Sequence, residues 1–221
     1  MGKMKKKVLL IQPHSDDVLF SAANFLFSNK YDVEVLTVEN NLKRVGEDKE
    51  LYKFLGIPYH HLEVEFDDQS FYSFHKQYAS VTVENSYKHL EDFFGKEKVA
   101  EIFNEIRNFI KEFKKQHTNV QIVIPYGVGH PMHCFVRDVV ESCENGLWYY
   151  RDFPHSYKKR ARYQMEQQDS VYELLQSNSV TEFHDVKWQL AKKFYKTQSG
   201  VLWYEQGYIK KMLPEEVYVK K

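Results

Sequence analysis

Val8-Leu9-Leu10-Ile11-Gln12-Pro13-His14-Ser15-Asp16-Asp17 joins a short apolar run to a turn carrying one imidazole and two carboxylates. An unbroken apolar run closed by Pro reads as a strand covered on both faces, which is the habit of central strands in parallel sheets. Residues 16–27 follow with apolar side chains at Leu19, Phe20, Ala23, Phe25, Leu26 and Phe27, predicting a mostly buried helix. Strand and helix then alternate. A strand is predicted at 33–38, a polar helix at 44–55 stopped by Gly56, and a third strand at 62–66. Residues 67–95 are aromatic and polar and read as a loop-rich insertion with some helix. Val99, Ile102, Phe103, Ile106, Phe109, Ile110 and Phe113 form one stripe of an amphipathic helix over 98–115. A buried strand at 120–124 is again closed by Pro, here Pro125. A helix at 131–143, a strand at 147–153, a basic exposed stretch at 158–168 and a helix at 185–198 complete the pattern. The alternation predicts an α/β, Rossmann-like fold: one domain over 1–221, with a mostly parallel sheet and helices on both faces.

Composition narrows the function classes. A chain of 221 residues can bury a sizeable core without disulfides. Sixteen Tyr and sixteen Phe supply that core, and some can also line a pocket for a ring-shaped ligand. Charge is balanced at 31 basic and 31 acidic residues, so the basic excess of a nucleic-acid binder is missing and no nucleic-acid partner is expected. The basic run at 3–7 precedes an apolar stretch too short for a signal peptide, and nothing approaches the ~20 apolar residues of a membrane span. The two cysteines, Cys134 and Cys143, lie more than two turns apart in a predicted helix and are too distant to bridge. A reducing, cytoplasmic location follows as the expectation. Cys134 as a nucleophile is disfavoured, because helical neighbours such as His133 and Cys134 point away from each other. The composition is compatible with a homo-oligomer.

Two predicted strand ends are unusually polar: Pro13 to Asp17, and Gly129-His130-Pro131-Met132-His133. Ligands of open α/β sheets bind beyond the carboxyl ends of the strands, so both loops can open onto one edge. His14, Asp16 and Asp17 fall within four residues. Adjacent carboxylates beside an imidazole repel unless a cation relieves them. One Asp capping the next helix is the plainer alternative, but it does not account for both carboxylates and the imidazole. His130 and His133, at i and i+3, can face one way, whereas His60 and His61, adjacent on a strand, would face opposite sides. Two His and one Asp suit catalytic zinc, leaving a fourth position for water. A further carboxylate can then take a proton and a further imidazole can stabilise an oxyanion. Chemistry alone leaves open which Asp ligates and which is the base, and which imidazole of the pair ligates.

The residues 8–17 motif resembles the Pro/Ala-His-Pro-Asp-Asp-Glu motif of the PIG-L/LmbE-like de-N-acetylases. Residues 129–133 resemble that family's later His-Pro-Asp-His motif. Arg44-Val45-Gly46-Glu47, followed by Leu55-Gly56, is similar to its Arg-x-x-Glu helix. Tyr149-Tyr150-Arg151-Asp152-Phe153-Pro154 is similar to its aromatic-acidic-Pro strand end, and residues 187–198 to its Lys-rich C-terminal helix. The resemblance implies a metal-dependent hydrolase, zinc-type although another divalent ion is compatible, that removes acetyl from an N-acetylated sugar or glycoconjugate. It implies His14, Asp17 and His133 as metal ligands, Asp16 as general base, His130 as oxyanion stabiliser and Arg44 as a substrate contact.

Three positions depart from the family pattern: Ser15 for Pro, Val18 for Glu, and Met132 for the Asp between the histidines. The last is expected to remove a carboxylate that would orient an imidazole. Two alternatives follow: hydrolysis of a different amide or an ester at the same site, or a metal- or sugar-binding protein that has lost turnover. A nucleotide-binding Rossmann domain is the weakest alternative, since the first strand-helix turn has no glycine-rich phosphate loop.

Overall fold

The computed structural model describes residues 5–64, 86–153, 155–157, 165, 166, 168, 170–178, 183–198 and 214–221. The first strand, β1 (Lys6–Gln12), runs parallel to β2 (Tyr31–Thr37) on one side and to β4 (Gln121–Pro125) on the other. Its four central residues are all apolar because both faces are covered. Leu9 and Ile11 enter one core cluster, while Val8 and Leu10 enter the other. β3 (Tyr59–His61) extends the sheet beyond β2, and β5 (Trp148–Tyr150) extends it beyond β4, again in parallel. β6 (Tyr172–Asn178) and β7 (Glu215–Lys220) add an antiparallel pair, and β7 pairs with β5, also antiparallel. The order is β3-β2-β1-β4-β5-β7-β6.

Helices cover both faces. On one side pack α4 (Ser86–Phe94), α5 (Lys96–Gln116) and α6 (Pro131–Glu141). Val99, Ile102, Ile106, Ile110 and Phe113 of α5 are buried there, which is the expected stripe. On the other side pack α1 (Asp17–Ser21), α2 (Ala23–Phe27), α3 (Leu42–Leu55) and α7 (His184–Phe194). Each buried Val, Leu or Ile contributes roughly 1.5–3 kcal/mol, so these two layers supply the driving force of the fold. The α/β, Rossmann-like architecture with a mostly parallel sheet is therefore as the sequence predicts.

Several element boundaries differ from expectation. The helix predicted over 16–27 is two short helices, because Ala22 leaves helical geometry with φ −140° and ψ 26°. Nothing in the local sequence explains that break. The third strand lies at Tyr59–His61 rather than 62–66, of which 65 and 66 fall outside the described residues. His60 does turn toward Phe109 and Phe113 of α5 while His61 stacks with Tyr59, so the adjacent pair faces opposite sides. The strand predicted over 147–153 is confined to Trp148–Tyr150. The C-terminal helix stops at Phe194, with a separate 3-10 turn at Lys196–Gln198. Most of the insertion at 67–95 and of the basic stretch at 158–168 lies outside the described residues; within the latter, Met165 is buried. The β6–β7 pair was not expected at all.

α3 starts two residues before the predicted 44 and stops, as predicted, at Gly56. The Asn41 side chain accepts from the N–H groups of Lys43 and Arg44 to start α3, and Gly56, in the left-handed region at φ 68°, closes it. α6 begins with Pro131 at its first turn, where the missing N–H costs nothing. The chain leaves β1 toward β2 on one side and enters β4 on the other, so the crevice beyond the carboxyl ends of β1 and β4 is the switch point of the sheet. Both polar loops emerge there. Among the described residues, no helix is long and apolar enough to cross a membrane.

Candidate metal centre

Pro13 to Asp17 leaves β1 and turns directly into α1, which puts His14 and Asp17 beside each other. The His14 backbone N–H donates to Asp17 Oδ2 at 2.8 Å, closing the turn. Asp16, just before α1, takes φ 89°, a left-handed conformation rare for a residue with a Cβ. Its side chain makes no cap hydrogen bond to α1. A helix-capping role therefore does not explain this carboxylate, and such strain is typical of functional turns.

Across the crevice, α6 delivers His133. The Nε2 of His133, Nδ1 of His14 and Oδ2 of Asp17 form a triangle with sides of 3.2, 3.3 and 3.4 Å. Tetrahedral zinc with ligand bonds of ~2.0–2.2 Å requires edges of roughly 3.3–3.6 Å between donor atoms, so the triangle has the size of one face of such a site. All three residues are buried. Burial alone would raise the Asp17 carboxyl, but the charge of His133 and the hydrogen bonds and charge of His14 outweigh it and hold it below the usual range. The donor set thus fits a divalent metal on size, burial and charge.

His130 also has a ligand-type nitrogen within 4.8 Å of those of His14 and His133, so distance alone admits it as a ligand. Hydrogen bonding separates the two imidazoles of α6. His133 Nδ1 lies 2.7 Å from Asp152 Oδ1 and donates to it, which leaves the Nε2 lone pair directed at the triangle. His130 is the reverse: its Nδ1 accepts the Met132 N–H at 3.3 Å, so in the neutral ring the proton sits on Nε2. One imidazole turns a lone pair toward the triangle, and its neighbour presents an N–H.

Asp152 is held by three donors, His133 Nδ1–H and the N–H groups of Gly127 and Val128, and is fully buried. An orienting carboxylate for His133 thus comes from just beyond β5, while Met132, at the position where the family has Asp, is a core side chain. Val18 is likewise buried in the core on the opposite face.

His155 is a site residue that sequence reasoning missed. It opens a 3-10 turn after β5 and packs 5.1 Å from the rings of both His130 and His133. Its spacing from either motif carries no signal, because a lone His beyond a strand end has no local pattern. Cys134 is structural: its thiol donates to the carbonyls of Gly127 and His130, and burial pushes its pKa far up. Both cysteines are free thiols.

Arg44 stands at the rim of this arrangement. Its Nη1 donates to Glu39 Oε1 at 3.0 Å, and its Nη2 donates to the Ser15 carbonyl at 3.1 Å and lies 3.9 Å from Asp16 Oδ1. The structure thus brings together four of the predicted residues, His14, Asp17, His130 and His133; Asp16 precedes Asp17 on the same loop, with Arg44 bracing it.

Behind the loop lies a second buried network. Gln12 Oε1 accepts from the Val18 N–H at 3.0 Å and the Tyr52 hydroxyl at 3.3 Å, while its Nε2 donates to Thr37 Oγ1 and Asp48 Oδ2 at 2.6 and 2.7 Å. Gln12 and Val18 bracket the loop that carries His14, Asp16 and Asp17, so this one carboxamide ties its two ends together. The Thr37 and Tyr195 hydroxyls also donate to Asp48.

No protein-family model and no curated protein matches the chain. Among solved structures it is similar to a crystal structure described as a putative UDP-N-acetylglucosamine 2-epimerase from Listeria monocytogenes. The identity is 12% and the TM-score 0.36, over 63% of this chain. The chain spans 29% of the length of that protein.

Proposed function

We propose that this protein is a metal-dependent hydrolase that removes acetyl from an N-acetylated sugar or glycoconjugate. The observation that carries this reading is the opposed hydrogen bonding of two neighbouring imidazoles. His133 presents a lone pair beside His14 and Asp17, and His130 presents an N–H next to it. A zinc-type ion, or another divalent metal, held by His14, Asp17 and His133 would polarise the acyl carbonyl and supply a nucleophile at neutral pH.

The protein's own groups then have distinct tasks. Asp16, held out of helix capping by its left-handed backbone, accepts the proton of the attacking water. His130 Nε2–H donates to the carbonyl oxygen as negative charge develops there, and the proton taken up by Asp16 passes to the departing amine. Asp152 keeps His133 in the ligating tautomer throughout. The N-acetyl sugar as substrate rests on the motif resemblance to the PIG-L/LmbE-like de-N-acetylases. The free thiols of Cys134 and Cys143 support a cytoplasmic setting.

Loss of turnover is the competing reading, motivated by Val18 and Met132. Both side chains lie in the core, so neither departure removes a group from the donor set described above. Acetate release from a panel of N-acetyl sugars tests the proposal, with Asp16→Asn as control. The variant is expected to keep its metal and to lose about 10²–10⁴ in turnover. Absence of acetate release by the metal-loaded parent across the panel, with ester or other amide hydrolysis retained, would move the assignment to the other bond.

A further inference from the structure

α1 ends at Ser21 and α2 begins at Ala23, with Ala22 between them at φ −140° and ψ 26°. In one continuous helix the Asn24 N–H would donate to the Phe20 carbonyl, four residues back. Here each of those two groups meets a side chain from later in the chain. The Phe20 carbonyl accepts from Lys187 Nζ of α7 at 3.1 Å, and the Asn24 N–H donates to Glu215 Oε2 of β7 at 2.9 Å. Lys187 pairs with Glu215 through Oε1, and both residues are buried. A cation and a carboxylate thus stand in the place of one helical hydrogen bond, the cation on the carbonyl and the anion on the N–H.

We propose that the Lys187–Glu215 pair is a wedge that keeps α1 and α2 apart and so positions Asp17. Residues 18–25 contain no proline or glycine, the usual local causes of a sharp helix break. Side chains inserted into the ladder of helical bonds are another cause, and this pair supplies two. Burial of an ion pair is offset when its remaining donors and acceptors are also bonded, and the two backbone groups meet part of that need. α2 is held in place by Phe25, whose ring lies 4.9 Å from that of Tyr31 and 6.2 Å from that of Trp148. Were the two helices to join, α1 is therefore the segment that must turn. Asp17 is its first residue, and its last, Ser21, accepts the Phe153 N–H at 3.0 Å, next to Asp152 in the chain. The wedge thereby sets the Asp17 carboxylate relative to the segment that orients His133. Its consequence for metal binding rests on the reading of His14, Asp17 and His133 as ligands. Its consequence for the helix break does not.

The test uses the full chain, labelled with ¹³C and ¹⁵N, and compares the parent with Lys187→Met/Glu215→Leu. Changing both residues leaves neither charge buried alone, and apolar replacement of a buried pair is often tolerated. The double variant is expected to join α1 and α2. Helical ¹³Cα shifts then run through residue 22, and a scalar coupling across a hydrogen bond links the Asn24 amide to the Phe20 carbonyl. The parent is expected to show neither signal, and nor is Lys187→Arg, which keeps a cation beside the carboxylate. The Phe153 amide is expected to exchange about tenfold faster in the double variant, as Ser21 turns away. Lys187→Leu/Glu215→Met, of different shape, serves if the first variant does not fold, with the same result expected. A non-helical Ala22 in the folded double variants overturns the proposal.

Zinc affinity, read by chelator competition, is expected to fall about tenfold in the double variant and to stay within about twofold of the parent in Lys187→Arg. The fall is expected even where denaturant unfolding shows no loss of stability, a result that a merely structural pair would not give. Joined helices with the parent's zinc affinity and the parent's Phe153 exchange overturn the positioning of Asp17. A parent that binds no zinc refutes the ligand reading alone, and the helix signals and Phe153 exchange still decide the role of the pair.

Discussion

His133 Nδ1 and Asp152 Oδ1 meet at 2.7 Å across the gap between α6 and the end of β5, with neither residue exposed to solvent. The bond sets which nitrogen of His133 is free to ligate. Asp152→Ala is expected to lower zinc affinity about 10–100-fold in a chelator competition. It also leaves the N–H groups of Gly127 and Val128 without this acceptor, so a loss of about 1–3 kcal/mol in denaturant unfolding accompanies it. Unaltered zinc affinity would detach Asp152 from the metal centre.

Arg44 was expected to contact substrate, but its guanidinium is spent on Glu39 and the Ser15 carbonyl beside Asp16. Bracing the loop predicts that Glu39→Gln and Arg44→Lys both lower kcat, with KM little changed. A direct substrate contact predicts instead that Arg44→Lys raises KM while Glu39→Gln does little. Steady-state kinetics on any accepted N-acetyl sugar separates the two. Arg44→Ala should also cost about 3 kcal/mol of stability, because it leaves the fully buried Glu39 without its cation.

Gln12 ties the start of the loop 13–17 to its end through Val18, and ties both to Thr37, Asp48 and Tyr52. Gln12→Leu has similar bulk but satisfies none of these groups. A loss of about 3 kcal/mol is expected in urea unfolding, since several buried polar atoms lose partners at once. Zinc affinity should fall with it, because His14 and Asp17 sit on the loop that Gln12 spans. A variant as stable as the parent would show that the network contributes nothing to holding the loop.

Asp48 gives a pH signature of opposite sign to an ordinary ion-paired carboxylate. Burial raises its carboxyl from 3.8 to about 6, against hydrogen bonds from Tyr195, Thr37 and Ser15 and the charge of Arg44. A carboxyl raised on folding is most stabilising when protonated, so its contribution is full below pH 3.8 and is lost as pH rises through 6. Asp48→Asn removes that dependence and can keep the network, with its oxygen toward Gln12 and Thr37 and its amide toward the Tyr195 hydroxyl. Relative to the parent, the variant should gain about 3 kcal/mol between roughly pH 4 and pH 7. Parallel stability profiles for the two proteins, from chemical denaturation across that range, would contradict the assignment.

Local chemistry was readable wherever neighbours in sequence are neighbours in space. The apolar run 8–11, the stripe of α5, the Gly56 cap and the Pro-closed strand ends announce their elements, because side-chain periodicity and backbone preference act over a few residues. The β6–β7 pair gave no such signal. Its strands are distant in sequence, it carries a register shift at Leu174–Gln176, and exposed Leu174 and Leu175 blur the alternation that would mark a half-buried strand.

The loop 13–17 and residues 130–133 named the chemical groups of the candidate centre but left their roles interchangeable, and the motif resemblance ranked them without a physical reason. Tertiary structure distinguishes these groups by their surroundings. Asp152 from β5 and the Met132 N–H from the first turn of α6 put the proton on opposite nitrogens of His133 and His130. A left-handed turn kept the Asp16 side chain out of helix capping while the His14 N–H tied Asp17 into the donor triangle. His155 joined them only because β5 lies beside β4 in the sheet. Residue types and local order are properties of the chain itself. Tautomer, ligand geometry and ring orientation depend on groups that folding alone brings within 3 to 5 Å.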